Sequence, residues 1–302
     1  MINKCQYSMI GMVMVCLIPF FAACAIPTGD TENNLSGNSG ENNADISLGD
    51  EGNFLGQRIK YGVFIGVTPD QSPSFAAYDL VVIDAAYYDK TDIDKIRQAG
   101  TRVYSYLNVG SIEHFREFFP EYQHLILGEY ENWAGEYWVD VSSPEWQNHV
   151  HTQAARLVEK GIDGFFVDNA DVYYYYHRSD IFQGMVAILS ELGQYQKDIL
   201  INGGDVLVSE VIMTTDLSAI PISGVNQECV FTNIDFEHGK LIPQNVENME
   251  YYQEYLERCS RQGWAVYLLE YSEDKTLIAR IEEYCNAHQF EYYVSSSIDL
   301  QL

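Results

Sequence analysis

Short apolar runs alternate with longer amphipathic stretches along the chain from Ile59 onward. Several runs, such as residues 80–83 (Leu-Val-Val-Ile), are continuously apolar, which is typical of strands covered on both faces. We predict nine strands, at residues 59–67, 79–84, 102–107, 137–141, 164–168, 198–202, 222–228, 265–270 and 290–294. Strands that alternate with helices in this way indicate βα units around a parallel sheet.

Between the strands, sequence signals mark the ends of three helices. Thr91 and Asp94 have capping-box spacing and open the first predicted helix. The second begins around Pro144 and ends at Gly161, since proline favours the first turn of a helix and glycine the position after its end. The third pattern covers residues 243–263. These helices are the connections that parallel strands require.

The number and spacing of the elements decide the fold class. Roughly 240 residues with eight or nine βα repeats match a (β/α)8 barrel, whereas an open doubly wound sheet is the alternative. The open sheet would carry a Gly-rich phosphate loop after its first strand, but the glycines of residues 61–67 lie inside the strand pattern. We therefore predict an α/β fold with a single (β/α)8 TIM barrel over residues 56–302. One predicted strand, the first or the last, is then extra to the barrel.

The N-terminal region has the features of an export signal. Lys4 precedes an uncharged stretch, and Phe21-Ala22-Ala23-Cys24 resembles a lipobox with Phe in place of the usual Leu. We predict a lipoprotein-type signal peptide over residues 1–23, lipidation at Cys24, and a location at the bacterial cell surface or in the periplasm. Ordinary signal cleavage and an uncleaved N-terminal anchor are the alternatives.

The segment that follows is too polar to fold. Residues 29–53 contain no aromatic residue and no Lys or Arg, and consist largely of Gly, Asn, Ser and acids. Such a composition buries too little apolar surface to offset the entropy of ordering the chain. We predict a disordered tether over residues 24–55, which would hold the barrel away from a membrane.

Charge and motifs exclude several classes of function. The 17 Lys and Arg against 44 Asp and Glu give a net charge of −27, so nucleic acid is excluded as a partner and a cationic or neutral ligand is favoured. The histidines are scattered, and no P-loop, Gly-x-Ser-x-Gly or Cys-x-x-Cys motif occurs. We predict a monomer without metal or cofactor. Cys259 and Cys285 are either a disulfide or, with Cys229, buried free thiols.

Acidic and aromatic side chains are concentrated at the ends of the predicted strands. Barrel chemistry sits at the carboxyl ends of the strands, so five acids are expected to converge there: Asp84, Asp140, Asp168, Glu228 and Glu270. Two such carboxylates can divide acid and nucleophile or base roles across a glycosidic bond. The aromatic residues there either stack on sugar rings or fill the gap between barrel and helices: Tyr87, Tyr88, Tyr106, Trp138, residues 173–176 and Tyr271.

Four segments resemble glycoside hydrolase family 114 in order along the chain. They are residues 78–84 (YDLVVID), 106–110 (YLNVG) with Arg116, 137–141 (YWVDV) with Pro144 and Trp146, and above all 161–171 (GIDGFFVDNAD). The resemblance implies an endo-α-1,4-polygalactosaminidase-like TIM barrel that hydrolyses α-1,4-linked galactosamine polymers. A carbohydrate-binding barrel that has lost turnover is the alternative function. An acidic enzyme would attract a partly deacetylated, cationic polymer.

The resemblance also implies the roles of particular residues. An Asp at the end of the Asp-Gly strand and a Glu on a later strand form the catalytic pair, which makes Asp168 the nucleophile and Glu228 the general acid/base. The predicted substrate-binding residues are Asp84, Tyr106, Asp140, Asn169, Asp171, Tyr173, Asn202, Glu270 and Tyr271.

The predicted lipid anchor can be tested with one substitution. Replacing Cys24 by Ala removes the only thiol to which the lipid would be attached, so the Cys24→Ala protein should leave the membrane fraction of a bacterial host. Fractionation followed by mass spectrometry of the N-terminus measures both location and processing. A variant that stays membrane-bound with its full N-terminus would instead identify an uncleaved anchor.

Overall fold

The structure is a computed structural model that describes residues 58–71, 74–131, 133–214 and 220–301. The predicted signal peptide, the lipidation residue Cys24 and the tether at residues 24–55 lie outside the described residues and stay predictions. In the described part of the chain, no helix is both long enough and apolar enough to cross a membrane.

The described residues form a series of strands and helices. The strands are β1 (Ile59–Phe64), β2 (Tyr78–Ile83), β3 (Arg102–Asn108), β4 (Ser111–Glu113), β5 (Ile126–Glu129), β6 (Glu136–Val139), β7 (Gly164–Asp168), β8 (Asp198–Asn202), β9 (Gly224–Glu228), β10 (Thr232–Asp235), β11 (Lys240–Pro243), β12 (Ala265–Tyr271) and β13 (Glu291–Ser295). The helices are α1 (Lys90–Gln98), α2 (Phe119–Tyr122), α3 (Pro144–Lys160), α4 (Val172–Tyr175), α5 (Ser179–Gly193), α6 (Asp205–Thr214), α7 (Val246–Arg261) and α8 (Lys275–His288).

Eight parallel strands make up the main sheet, in the order β1-β2-β3-β7-β8-β9-β12-β13. The last strand packs beside the first, so the sheet curves into a nearly closed barrel. From β2 onward, at least one helix lies between successive strands of this sheet. Several of its strands are covered on both faces, as in β2, where residues 80–83 are apolar and all buried. The predicted (β/α)8 TIM barrel is confirmed.

The extra predicted strand is neither the first nor the last, and that part of the prediction was wrong. Residues 136–139 form β6, which pairs antiparallel with β4 and β5 in a separate three-stranded sheet. This insert sheet lies between β3 and α3 in the chain. The run Tyr137-Trp138-Val139 has the composition of a barrel strand, but composition does not distinguish which sheet a strand joins.

Two helices begin at residues other than those predicted from the sequence. Helix α1 is capped by Asp89, whose side chain accepts from Asp92 N at 2.9 Å while Asp92 accepts from Asp89 N, so the capping box lies two residues before the predicted Thr91 pair. Helix α7 begins at Val246 after an Asn245 cap, because residues 240–243 belong to β11. Helix α3 begins at Pro144 as predicted.

The three described cysteines occupy the core. Cys229, Cys259 and Cys285 are all buried, and no disulfide joins Cys259 to Cys285 in this structure. Burial raises the pKa of the Cys259 and Cys285 thiols to about 12 each. Both thiols therefore stay protonated and act as small apolar side chains in packing.

A glycine on α5 allows this helix to approach the insert region closely. A Cβ on Gly184 would lie 2.8 Å from Ser142 N and 2.7 Å from the Val141 carbonyl carbon, and both are backbone atoms that cannot rotate away. Gly184→Ala should therefore lower the melting temperature by about 2 to 10 °C, as overpacked cores do. Thermal unfolding measures the shift. Gln183→Ala, on the exposed face of the same helix, is the control, and an equal effect of both changes would contradict close packing at residue 184.

Candidate active site

Three neighbouring barrel strands end in polar side chains that are almost fully buried. Asp168 ends β7, Asn202 ends β8 and Glu228 ends β9, and each is no more than 2% exposed. Because these strands are parallel and adjacent, their carboxyl ends lie at the same end of the barrel. The three side chains therefore come together at the barrel mouth.

The Asn202 side-chain amide joins the two carboxylates. Asn202 Nδ2 donates to Asp168 Oδ1 at 2.8 Å and to Glu228 Oε1 at 2.7 Å. Since both hydrogen bonds share one nitrogen, these two oxygen atoms can be no farther apart than the sum of the two lengths, about 5.5 Å. Both hydrogens of the amide are used, one for each carboxylate.

Further hydrogen bonds fix the orientation of this amide. Asn226 Nδ2 donates to Asn202 Oδ1 at 2.6 Å, and Tyr61 OH donates to Asn226 Oδ1 at 3.0 Å. The nitrogen of Asn202 must therefore face the carboxylates, which only accept hydrogen bonds when ionised. On the other side, Tyr271 OH donates to Glu228 Oε2 at 2.8 Å, so each oxygen of Glu228 accepts a hydrogen bond.

Burial makes both carboxyl groups weaker acids. Loss of water raises the pKa of Asp168 to about 7, although the hydrogen bonds from Asn202 and Asn169 oppose the shift. The pKa of Glu228 rises to about 8, first through burial and then through the nearby charge of Asp168. Near neutral pH the pair can therefore hold one proton, with Glu228 as its preferred site.

Each of the three strands turns sharply after its functional side chain. The next residue has a left-handed backbone in every case: Asn169 (φ 62°), Gly203 (φ 61°) and Cys229 (φ 56°). Asn tolerates this conformation and Gly adopts it freely, whereas Cys at φ 56° is held there by its surroundings.

A buried carboxylate holds the turn after β9. Glu270 accepts backbone N–H bonds from residues 230–232 at 3.0 to 3.2 Å and the Thr232 hydroxyl bond at 2.5 Å. Its neighbour Leu269 pairs with Glu228 and shares the face of Glu228, so Glu270 points to the opposite face of the sheet. The prediction that Glu270 lies with the other acids at the mouth is wrong, because strand alternation directs it outward.

Two other buried acids hold the remaining turns. Asp171 accepts the Gly204 N–H at 3.0 and 3.1 Å, beside the turn that follows β8. Glu136, from the insert sheet, accepts from Asn169 Nδ2 at 3.0 Å and from the Ser111 hydroxyl. Burial raises the pKa of Asp171 well above its ordinary value and that of Glu136 to about 8. Asp171 and Glu136 therefore contact loop atoms that follow the barrel strands.

Two predicted binding residues are used in local structure. Asp140 follows β6 rather than a barrel strand, and its Oδ1 accepts from Ser142 N and Oγ at 3.0 and 2.5 Å. The prediction that Asp140 ends a barrel strand was therefore wrong. Tyr173 is buried, with ring centroids 4.5 Å from His177 and 5.4 Å from Phe182, which is packing against the start of α5.

Asp84 lies in a separate charged group at the end of β2. Asp84 Oδ2 lies 3.4 Å from Arg116 Nη2, and Glu113 Oε1 lies 3.0 Å from the same nitrogen. Burial raises the pKa of Asp84 and the Arg116 charge opposes that shift. Asp84, Glu113 and Arg116 line a cavity of about 230 Å³ whose other lining residues include Tyr106 and Asn108.

Some residues of the site were not predicted from the sequence. Asn226 lies two positions before Glu228, so both face the same side of β9, and this spacing was an available signal. Tyr61 and Glu136 gave no comparable signal, since one lies in mid-strand and the other comes from the insert sheet. Among the described residues, no three His, Cys, Asp or Glu side chains are grouped so that they could hold a metal ion.

Comparisons with known proteins identify the family of this chain. The family model described as glycoside-hydrolase family GH114 matches residues 26–299. An uncharacterised protein of Thermotoga maritima is 25% identical, over 67% of each chain. An uncharacterised protein of Methanocaldococcus jannaschii is 23% identical, over 39% of each chain.

Two solved structures share the fold. The glycoside hydrolase domain of PelA from Pseudomonas aeruginosa has a TM-score of 0.67 and 17% identity, covering 81% of this chain and 96% of that one. Ega3 from Aspergillus fumigatus, in complex with galactosamine, has a TM-score of 0.62 and 16% identity, covering 82% of this chain and 93% of that one. At these identities the likeness is one of fold.

The raised pKa values predict how stability depends on pH. Glu228 holds its proton up to about pH 8 in the folded protein, and an unfolded Glu only to about 4.3, so folding stability falls as pH rises between these values. Glu228→Gln stays neutral and keeps the shape of the side chain. The melting temperature of Glu228→Gln minus that of the native protein should therefore increase by roughly 3 to 10 °C between pH 5 and pH 8.5.

Thermal unfolding across this pH range measures the difference. Asp180→Asn is the control, because Arg178 lowers the pKa of this exposed carboxyl and the same gain is not expected there. A melting-temperature difference that stays constant with pH would show that Glu228 loses its proton at the same pH in both states.

Proposed function

Because this chain belongs to glycoside-hydrolase family GH114, we propose that it hydrolyses α-1,4-linked galactosamine polymers with Asp168 and Glu228 as its catalytic pair. Family membership supports a glycoside hydrolase acting on O-glycosyl bonds. The observation that carries the finer proposal is the Asn202 amide, which hydrogen-bonds both carboxylates at once.

The spacing of the pair supports a retaining mechanism. Retaining glycosidases hold their two carboxyl groups about 5 to 5.5 Å apart, and inverting ones about 6.5 to 9.5 Å apart, to leave room for water. The bridged oxygens of Asp168 and Glu228 are no more than about 5.5 Å apart. This bound fits direct attack by one carboxylate on the sugar.

The pKa order assigns the two roles. Asp168, with a pKa of about 7, is the group that ionises first and attacks the anomeric carbon, while Glu228, with a pKa of about 8, gives its proton to the departing glycosidic oxygen. The bond to the leaving sugar breaks as the ester to Asp168 forms. Glu228, now ionised, then takes a proton from water, and the resulting attack releases the sugar and restores both groups.

Charge supports an amino-sugar substrate. The chain carries a net charge of −27, which attracts a cationic polymer over the distance that salt does not screen, about 8 Å at physiological ionic strength. The Ega3 structure contains galactosamine, an amino sugar of the proposed type. With the predicted signal peptide and lipid anchor, the proposed enzyme is an exported monomer that acts on polysaccharide outside the cytoplasm.

Two substitutions test the catalytic pair. Asp168→Asn and Glu228→Gln should each lower kcat by about 10² to 10⁴, because each removes a proton-transfer or nucleophilic group without making a cavity. Asp171→Asn should lower it less, since Asp171 contacts a backbone N–H rather than Asn202. The purified native barrel is incubated with galactosamine, glucosamine and neutral polymers, and mass spectrometry identifies the products.

Asp180→Asn, on the exposed start of α5, is the matched control and should retain native rates. If Asp168→Asn and Glu228→Gln kept native rates on a polymer that the native protein cleaves, the assignment of the pair would be wrong.

The pKa values also predict the pH profile of turnover. Asp168 must be ionised and Glu228 protonated, so kcat/KM should be bell-shaped with its maximum between the two values, near pH 7 to 8. Glu228→Gln should remove the alkaline limb from any residual activity. A profile that peaks near pH 4 to 5 would contradict the proposed protonation states.

A further inference from the structure

The structure separates the aromatic residues at the strand ends into buried and exposed ones. Five of them are buried: Tyr88, Tyr106, Trp138, Tyr173 and Tyr271. Residues 174–176 are partly buried, and the Tyr175 ring lies 4.8 Å from that of Trp138 in the insert sheet. Only Tyr87, which is 42% exposed, presents much of its ring to solvent.

A second exposed ring lies near Tyr87. Phe115 follows β4 and is 49% exposed, and the Arg116 guanidinium lies 5.1 Å from the Phe115 ring centroid and 5.9 Å from that of Tyr87. In the described part of the chain, the only other aromatic side chain with comparable exposure is Tyr251, whose hydroxyl donates to Asp205. Two of these three exposed rings thus lie within 6 Å of the same guanidinium.

Arg116 holds this arrangement in place. Its guanidinium is anchored by Asp84 at the end of β2 and by Glu113 at the end of β4, and its side chain is only 17% exposed. A cation over an aromatic face is attracted by the ring quadrupole, so a fixed Arg116 also fixes the rings beside it. The exposed rings therefore lose little further freedom when a ligand binds.

We infer that Tyr87 and Phe115, which both lie next to Arg116, form a stacking subsite for a hexosamine unit of the polymer at some distance from the catalytic pair. The inference rests on the proposed function, since it assumes a polysaccharide substrate. Exposed apolar side chains that lie close together mark binding surfaces, and the C–H face of a sugar ring covers an aromatic ring through dispersion and weak C–H contacts.

The position of the subsite explains why it would need a polymer. Tyr87 follows β2, and β3 separates β2 from β7, which carries Asp168. Two strand spacings amount to roughly 10 Å, which is farther than a single hexose held at the catalytic pair can reach. The subsite would therefore grip a sugar further along the chain and contribute to the affinity for long substrates.

Binding and kinetics test the subsite separately. In a Glu228→Gln background, whose turnover is expected to be about 10²- to 10⁴-fold slower, Tyr87→Ala and Phe115→Ala should each weaken the binding of a galactosamine polymer by about 2- to 10-fold in calorimetry. Tyr87→Phe should restore binding, because it keeps the ring. In the active enzyme the loss should appear in KM for the polymer and be much smaller for a monosaccharide glycoside.

Ile59→Ala is the control, because Ile59 is 48% exposed at the start of β1, the opposite end of the barrel, and should leave binding unchanged. Native polymer binding that survives Tyr87→Ala and Phe115→Ala would overturn the subsite and leave the proposed function intact. A native protein that neither binds nor cleaves any amino-sugar polymer would overturn both. Equal losses on polymer and monosaccharide would assign the rings a structural role instead.

Discussion

One side-chain amide satisfies two buried carboxylates, and the geometry of the site depends on it. Each carboxylate is almost completely removed from water, which is unfavourable unless hydrogen bonds replace that water. Asn202 offers its two hydrogens to Asp168 and Glu228, so the two groups cannot separate without one of them losing its hydrogen bond to this amide. The amide in turn depends on Asn226 behind it, which makes the interior of the barrel a support for its mouth.

Folding disfavours the ionised forms of the two candidate catalytic carboxyl groups, although the proposed mechanism needs Asp168 to be ionised. Burial raises the pKa of both catalytic candidates toward neutrality, and the same burial makes their ionised forms destabilising. Burial raises the pKa of Glu270 to about 7 as well, although the Thr232 hydroxyl and the backbone N–H bonds from residues 230–232 oppose the shift. Raised pKa values therefore occur in both groups of buried acids, and their contacts distinguish the pair that shares the Asn202 amide from the acids that bind loop atoms.

The sequence predicted the barrel well, because continuous apolar runs and helix caps are local signals. It also placed Asp168 and Glu228 at the ends of barrel strands, since both end strands that the sequence pattern predicts. Their catalytic roles stay a proposal. It failed for residues 136–139, because strand composition does not reveal which sheet a strand joins. It failed for Glu270 because the sequence did not determine which face of β12 each side chain occupies. Neighbouring residues of a strand point to opposite faces, and the pairing of Leu269 with Glu228 places Glu270 on the outer face.

Three buried acids hold the turns that follow β7, β8 and β9, and each acid comes from a different part of the chain than the turn that it holds. Glu136 of the insert reaches the turn after β7, Asp171 reaches the turn after β8, and Glu270 of β12 reaches the turn after β9. Recombination of barrel modules would separate anchors from their turns wherever a breakpoint fell between them. A half-barrel or a chimera would therefore have to inherit these segments together to assemble a working mouth.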